Sequence, residues 1–420
     1  MTSHVVFITA GEWPAQKGLL VSQVLETARA LQSKGYTSSW LAAIPLLSRV
    51  KRLVLRDHDL QWLQAECQRA GIVFECCTIP VTLGSPWSMP IRRWWHRRVA
   101  RYALNGPVTQ VAAGVATILH ARSYYAAEIG LLLRTLIGAQ FPDRQVVSSF
   151  DMRSFLGPES PMGHGIFGAV NYGFIKMLEF DLVRGSDVAF LPVHVGRRQY
   201  KEETGLDIAH APIQGLDREP GWRADFELRW VRRRIGYSGS VGQWHDPVLL
   251  RQIFDLFPLF HPQLASKPIE AFAGLDCELY RQTELPAYYD GLLALVIPGL
   301  ARVEGYYRTL QMRCNLFSTK AAEALSRGVP LIVSSELEEL ADFVRSHECG
   351  IVVELRNGRP SLPAGLDLDS PAFWKRLTAN AMLVGASFER KVVIGVYERA
   401  WQTALERWHG HADHLQKDQA

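Results

Sequence analysis

The 420-residue chain is poor in several features, and each shortage excludes a class of protein. No apolar run approaches the ~18–20 residues of a membrane-spanning helix, and Leu292–Pro298 is far too short for one. The six cysteines (Cys67, Cys76, Cys77, Cys277, Cys314 and Cys349) form no CxxC pair, which argues against a disulfide framework and a zinc ribbon. Met1–Ala10 lacks the basic and long apolar regions of a signal peptide, so a cytoplasmic protein is expected. Lysine is scarce, supplying ten of the 46 basic residues. The net charge is only +4, too small an average to indicate a nucleic-acid partner.

Apolar residues make up 48% and charged residues 21%, a balance that excludes a disordered or fibrous chain. Short apolar runs alternate with amphipathic stretches. Strands are predicted at His4–Ala10, Ser39–Ile44, Ile72–Ile79, Val115–His120, Gln145–Phe150 and Asp187–Val193. Helices are predicted between them, several closed by glycines such as Gly35 and Gly71. The alternation restarts with strands at Ile235–Ser238, Ile269–Ala273, Leu292–Ile297, Leu331–Ser334 and Ile351–Glu354. Helices are predicted at Pro247–Phe260, Thr319–Arg327 and Glu336–His347, then Ala372–Gly385 and Phe388–His409.

This pattern predicts an α/β protein with two doubly wound Rossmann-like domains facing a cleft. The first domain covers residues 1–213 and is completed by the C-terminal helix 388–410. A Pro-, Gly- and charge-rich linker spans 214–234, and the second domain covers 235–387. Ligands of such sheets bind beyond the carboxyl ends of the strands. The segments to watch are therefore Gly11–Gly18, His120–Ser123, Asp151–Arg153, Gly239–His245 and Pro298–Lys320.

The densest of these patterns is Ser318–Glu354. Ser318 and Thr319 can open a helix whose N–H groups favour an anion. Lys320 and Glu323 share one face of its first turn, a charge for phosphate beside a carboxylate for two ribose hydroxyls. An ordinary αβ unit with a surface Lys–Glu pair has the same spacing. Asp151 and Arg153 are alternate residues after a strand, suited either to orienting an acceptor or to holding the loop as an internal pair.

Ser318–Gly328 followed by Val329–Val333 resembles the donor-binding helix of family-4 glycosyltransferases, of GT-B fold. Tyr237–Trp244 resembles the first strand and Gly-turn of that family's donor domain. His120–Glu128 and Phe150–Glu159 resemble two acceptor-domain strand ends, Glu179–Val193 the segment before the linker, and Ser387–Trp401 the closing helices. The resemblance implies a nucleotide-sugar-dependent, retaining, metal-independent transferase that needs no cofactor, the nucleoside-diphosphate sugar being a substrate. It implies donor contacts at Gly18, Gly239, Ser240, Gly242, Ser318 and Thr319, and roles in the reaction for His120, Lys320 and Glu323.

The chain departs from the family at Asn315, where the first acid of an E-x7-E pair would fall. It departs again at Gln243 and His245, where a basic pair is usual, so Lys320, Arg308 and Arg313 are expected to meet the diphosphate. A 2-epimerase or inverting activity on the same fold, and a catalytically silent binding or scaffold homologue, stay open at this point.

Residues 76–127 contain no acid at all, and Ser88–Leu104 is both basic and aromatic. Arg92, Arg93, Arg97 and Arg98 with Trp94 and Trp95 would suit an anionic membrane surface, where each basic residue is worth ~1 kcal/mol. The partners expected are thus a nucleotide sugar, a saccharide or lipid-linked acceptor and, at the periphery, an anionic membrane, with no nucleic acid. A solvated basic helix with its tryptophans in the core would have the same composition.

Overall fold

The computed structural model describes residues 3–14, 20–54, 58–80, 89–112, 114–154, 165–239, 241, 245–280, 284–301 and 317–417. The chain forms two compact units, residues 1–191, 197–211 and 394–420 in the first and residues 192–196 and 212–393 in the second.

The first unit is built on strands β1 (Ser3–Ala10), β2 (Thr37–Pro45), β3 (Val73–Ile79), β4 (Ala116–Arg122), β5 (Val146–Asp151), β6 (Val188–Leu191) and β7 (Ala209–His210). Its helices are α1 (Glu26–Gln32), α2 (Leu46–Val54), α3 (Asp59–Arg69), α4 (Met89–Asn105), α5 (Tyr124–Gln140), α6 (Gly165–Gly185) and α7 (His194–Thr204). The strands lie in the order β3-β2-β1-β4-β5-β6-β7, and every pairing is parallel. Every residue of β1, β4 and β5 is buried, as central strands covered on both faces require.

The second unit opens with α8 (Phe226–Arg232) and β8 (Arg234–Ser238), followed by α9 (Pro247–Asp255), β9 (His261–Ala265), β10 (Asp276–Cys277), α10 (Leu285–Asp290) and β11 (Ala294–Ile297). Then come α11 (Thr319–Ser326), β12 (Leu331–Ser334), α12 (Glu338–His347), β13 (Gly350–Arg356), β14 (Arg359–Ser361) and α13 (Pro371–Gly385). Its sheet repeats the topology, β10-β9-β8-β11-β12-β13-β14, with only β14 antiparallel. The last helix, α14 (Arg390–Lys417), contributes residues from 394 onward to the first unit.

Two sequence expectations need correction. The predicted strand Ile269–Ala273 is a loop around a short 3-10 turn, Glu270–Phe272, whose Phe272 plugs the core. The strand is β9, which begins directly after the stretch predicted as helix: α9 stops at Asp255, short of the predicted Phe260, Pro258 cannot extend it, and Phe257 and Phe260 fill the core. The charge-rich segment 214–234 packs within the second unit. There Asp225 caps α8, and the fully buried Arg229 donates to the carbonyls of Arg327, Gly328 and Asp290.

At the end of α13 the backbone of Gly385 comes so close to α11 that a Cβ would lie 1.8 Å from the Leu325 carbonyl oxygen. Gly385→Ala is therefore expected to lower the unfolding free energy by about 2–3 kcal/mol in urea titrations. Gly138→Ala on α5, where an added Cβ meets nothing within 4 Å, is expected to gain about 0.5–1 kcal/mol.

Candidate functional site

In the second unit the strand order reverses between β8 and β11, the switch point where such sheets bind ligands. Past Ser238 the chain turns through Gly239, whose φ of 96° is a conformation that suits glycine. A Cβ there would stand 3.4 Å from the Lys320 Nζ, so Lys320 lies directly over the turn. The lysine sits in the first turn of α11, behind the Ser318 N-cap, whose hydroxyl accepts from the Ala321 N–H. Lys320 Nζ donates to the Tyr237 hydroxyl at 3.2 Å and stands 4.4 Å from the centre of that ring. Burial outweighs the attraction of Glu323 and pushes the ammonium down to about 7.

His245 packs edge-on against Tyr237, with ring centres 5.8 Å apart. It is buried, its Nδ1 has no hydrogen-bond partner, and burial followed by the charge of Lys320 pushes its pKa far down, so the ring is neutral. Glu323, one turn along α11 from Lys320, is buried and accepts from the Tyr289 hydroxyl at 2.9 Å. That hydroxyl also bonds the Ser238 Oγ at 2.9 Å, which ties the carboxylate to the end of β8.

The structure thus brings together Gly239, Ser318, Thr319, Lys320 and Glu323 of the expected donor-side residues. Gly18, Ser240, Gly242, Arg308 and Arg313 lie outside the described residues, as does Asn315. Sequence reasoning did not single out Tyr237 and Tyr289. An apolar strand and a loop helix hide both tyrosines, whose only signal is a hydroxyl that must be bonded once buried.

In the first unit the switch point lies between β1 and β4. His120 and Arg122 alternate on β4 and so share a face. His120, expected to take part in the reaction, lies inside the first unit. Its ring is 4% exposed, enclosed by Phe7, Tyr397 and Trp401, and its Nδ1 lies 3.0 Å from the Ser149 Oγ, which also accepts from Trp401 Nε1. Burial pushes its pKa down to about 4, so it is a neutral core histidine. Asp151 is buried too, paired with Arg153 Nε at 2.7 Å and accepting from the Tyr397 hydroxyl at 3.3 Å. Asp151 and Arg153 thus pair with each other just past the end of β5. The residue of β4 nearest the strand end is Arg122, which sequence reasoning passed over.

On α4 the basic residues divide. Arg92 is buried, donating from Nε to Glu128 at 3.0 Å, and buried His96 lies 2.7 Å from the same carboxylate. Arg92 therefore leaves the group expected at a membrane surface: the first acid after the acid-free stretch draws it inside. Arg93, also within reach of Glu128, remains exposed, as do Arg97 and Arg98. The Arg98 guanidinium lies over Trp94, which is 50% exposed, and Trp95 is half-buried. Among the described residues no helix is long and apolar enough to cross a membrane, and no cluster of His, Cys, Asp or Glu could hold a metal ion.

No protein-family model matches the chain, and no curated protein matches it by sequence. Solved structures do. The N-terminal domain of a trehalose-6-phosphate phosphatase from Candida albicans is 11% identical, with 96% of this chain and 97% of that one covered and a TM-score of 0.57. A UDP-forming α,α-trehalose-phosphate synthase from Burkholderia vietnamiensis is 10% identical over 96% and 98% of the two chains, with a TM-score of 0.56. A lipopolysaccharide outer core galactosyltransferase is 12% identical over 95% and 99%, with a TM-score of 0.50. The likeness shows the fold: an α/β chain of two Rossmann-like domains, of GT-B type.

Removing Arg92 would leave buried Glu128 with only His96 and the exposed Arg93 and would open a cavity beside it, so Arg92→Ala is expected to cost about 2–3 kcal/mol of stability in chemical denaturation. Arg97→Ser and Arg98→Ser, on the exposed face, are expected to stay within about 0.5 kcal/mol.

Proposed function

We propose that the protein is a metal-independent glycosyltransferase, retaining in stereochemistry, that moves a sugar from a nucleoside-diphosphate sugar to a saccharide or lipid-linked acceptor of the surface-polysaccharide type. The observation that carries this reading is Lys320 held over the Gly239 turn, with Glu323 fixed one turn further along α11. Glycosyl transfer releases a diphosphate as charge develops on it. Lys320 and the N-terminal N–H groups of α11 meet that charge, and Glu323 accepts from the ribose hydroxyls. Two proteins of like fold, named as a UDP-forming synthase and a galactosyltransferase, support the same chemistry. The donor is a substrate, and no resident cofactor is part of the scheme.

Calorimetric titration with uridine, guanosine, adenosine and thymidine diphosphates tests the donor side. Binding of one of them is expected, weakened about tenfold or more in Lys320→Ala and in Glu323→Gln. Lys320 carries its charge below about pH 7 in the free protein. A bound diphosphate raises that pKa, so binding takes up a proton above pH 7 and affinity falls as pH rises from 7 to 9. Lys320→Arg, charged throughout, is expected to abolish that dependence. Binding by no nucleotide, or equal binding by wild type and both weakened variants, would overturn the assignment.

The acceptor-side proposal includes docking of the first unit on an anionic membrane through the exposed face of α4. There Ile91, Trp94 and Tyr102 stand among Arg93, Arg97 and Arg98. The protein is expected to float with vesicles containing phosphatidylglycerol and not with phosphatidylcholine alone. The Arg93→Ser, Arg97→Ser, Arg98→Ser triple variant is expected to lose flotation, and its retention would refute docking by this face.

A further inference from the structure

The buried arginines at the carboxyl end of the first unit's sheet have no part in the nucleotide scheme. Arg122 ends β4, and its side chain is only 10% exposed. Its Nη1 donates to Glu12 Oε2 at 3.0 Å, and its buried Nε has no hydrogen-bond partner. Glu12, just past β1, is 42% exposed. A nine-tenths buried guanidinium is thus answered by one carboxylate that stands largely in solvent, and one N–H of its fork is unanswered.

The next cation, Arg153, comes two residues after β5. Its partner Asp151 is buried and also receives the Tyr397 hydroxyl, so that negative charge is already engaged. Burial comes first and Arg153 adds to it in pulling Arg122 below the usual arginine range, against the opposing effects of Glu12 and Asp151. Arg122 is the register partner of Asp151 across β4 and β5, so Arg153, two residues further on, leaves the sheet at the same end.

The backbone adds an independent sign. Ser123 has φ 78° and ψ 167°, a region occupied almost only by glycine, and Arg153 has φ 63°. Both residues sit where the chain leaves a strand beside the β1–β4 switch point. In this conformation Ser123 makes no side-chain cap to α5, and its hydroxyl turns to the Ala10 carbonyl at 3.4 Å. The 17-residue helix α5 therefore begins without a side-chain cap, immediately after Arg122.

We propose that Arg122 and Arg153, with the start of α5, form a binding site for the phosphate group of a ligand of the first unit, with Glu12 as the intramolecular occupant it displaces. A phosphate has the two parallel acceptors that a guanidinium fork engages through Nε and Nη together, and its oxygens can be shared with a second arginine. A neutral sugar hydroxyl would leave the buried charge unanswered once Glu12 moved away. This site stands apart from the donor reading, which concerns the second unit.

Inorganic phosphate is the first probe, followed by titration calorimetry and thermal shift. Wild type and Lys320→Ala are expected to bind it equally. Arg122→Gln is expected to bind about tenfold more weakly, and Glu12→Gln, with the competing carboxylate removed, about threefold more tightly. A purely structural Arg122–Glu12 pair predicts no tightening in Glu12→Gln, so unchanged or weaker binding there overturns the proposal even if Arg122→Gln fails to fold. Absence of phosphate binding by the wild type at millimolar concentrations overturns it as well. A hexose 6-phosphate and dihexanoyl phosphatidic acid, titrated separately, distinguish a phosphorylated saccharide from a lipid phosphate as the natural source. Nucleoside diphosphate binding is read in its own titration against Lys320→Ala, so its failure bears on the donor site alone.

Discussion

The hydroxyl of Tyr289 joins the parts of the second unit on which the proposed donor site depends. It gives its proton to Glu323 on α11 and meets Ser238 at the end of β8, and all three residues are buried. A buried carboxylate without donors would be strongly disfavoured. The tyrosine therefore sets the register of α11 against the switch point. With that register fixed, Lys320 falls over the Gly239 turn, and the close approach of Gly385 to Leu325 supports the helix from its other end. The same packing lowers the lysine's proton affinity, because its ammonium is buried against the Tyr237 ring, with less water around it.

Burial sorts the charges elsewhere in the molecule. Arg229 and Arg327 lie inside the second unit, one satisfied by carbonyls and the other paired with Asp290 and Glu219. Such groups add little net stability, but removing one partner leaves a charge stranded in a poor solvent. In the first unit Glu128 plays this part for Arg92 and His96. Exposed Arg97 and Arg98, one turn further along the same helix, face water. Helical periodicity, more than the number of arginines, decides which of them can meet a partner.

The strands and helices were legible where one period dominates. Strands β1, β2, β4, β5 and β12 and helix α11 begin within two residues of their predicted starts, because their apolar pattern reports their own burial. Strand β9 was hidden because Phe257 and Phe260 continue the helical spacing of α9 although they belong to the turn after it. The charge and Pro/Gly content of residues 214–234 suggested an interdomain linker; no local pattern shows that backbone carbonyls far along the chain would receive Arg229. The burial of His120 was hidden for a similar reason. Its strand was placed correctly, but the cover over its ring is Tyr397 and Trp401, neighbours on one face of α14 more than 270 positions away. The Lys320–Glu323 pair was visible because both members lie on one short helix whose cap and glycine stop are local signals.

The two sheets share one strand order, yet their switch points carry different charge chemistry. In the second unit the cation is a lysine, and burial has brought its proton affinity close to neutrality. Its charge can respond to what binds and to pH. In the first unit the cations are arginines, whose charge persists through the neutral range, and the variable element is the exposed carboxylate of Glu12. A ligand of the proposed first site would compete with a side chain, whereas a ligand of the proposed second site would compete with the loss of a proton. The two affinities should therefore differ in kind: the first sensitive to substitution at position 12 and flat with pH apart from the ligand's own titration, the second insensitive to position 12 and dependent on pH above neutrality.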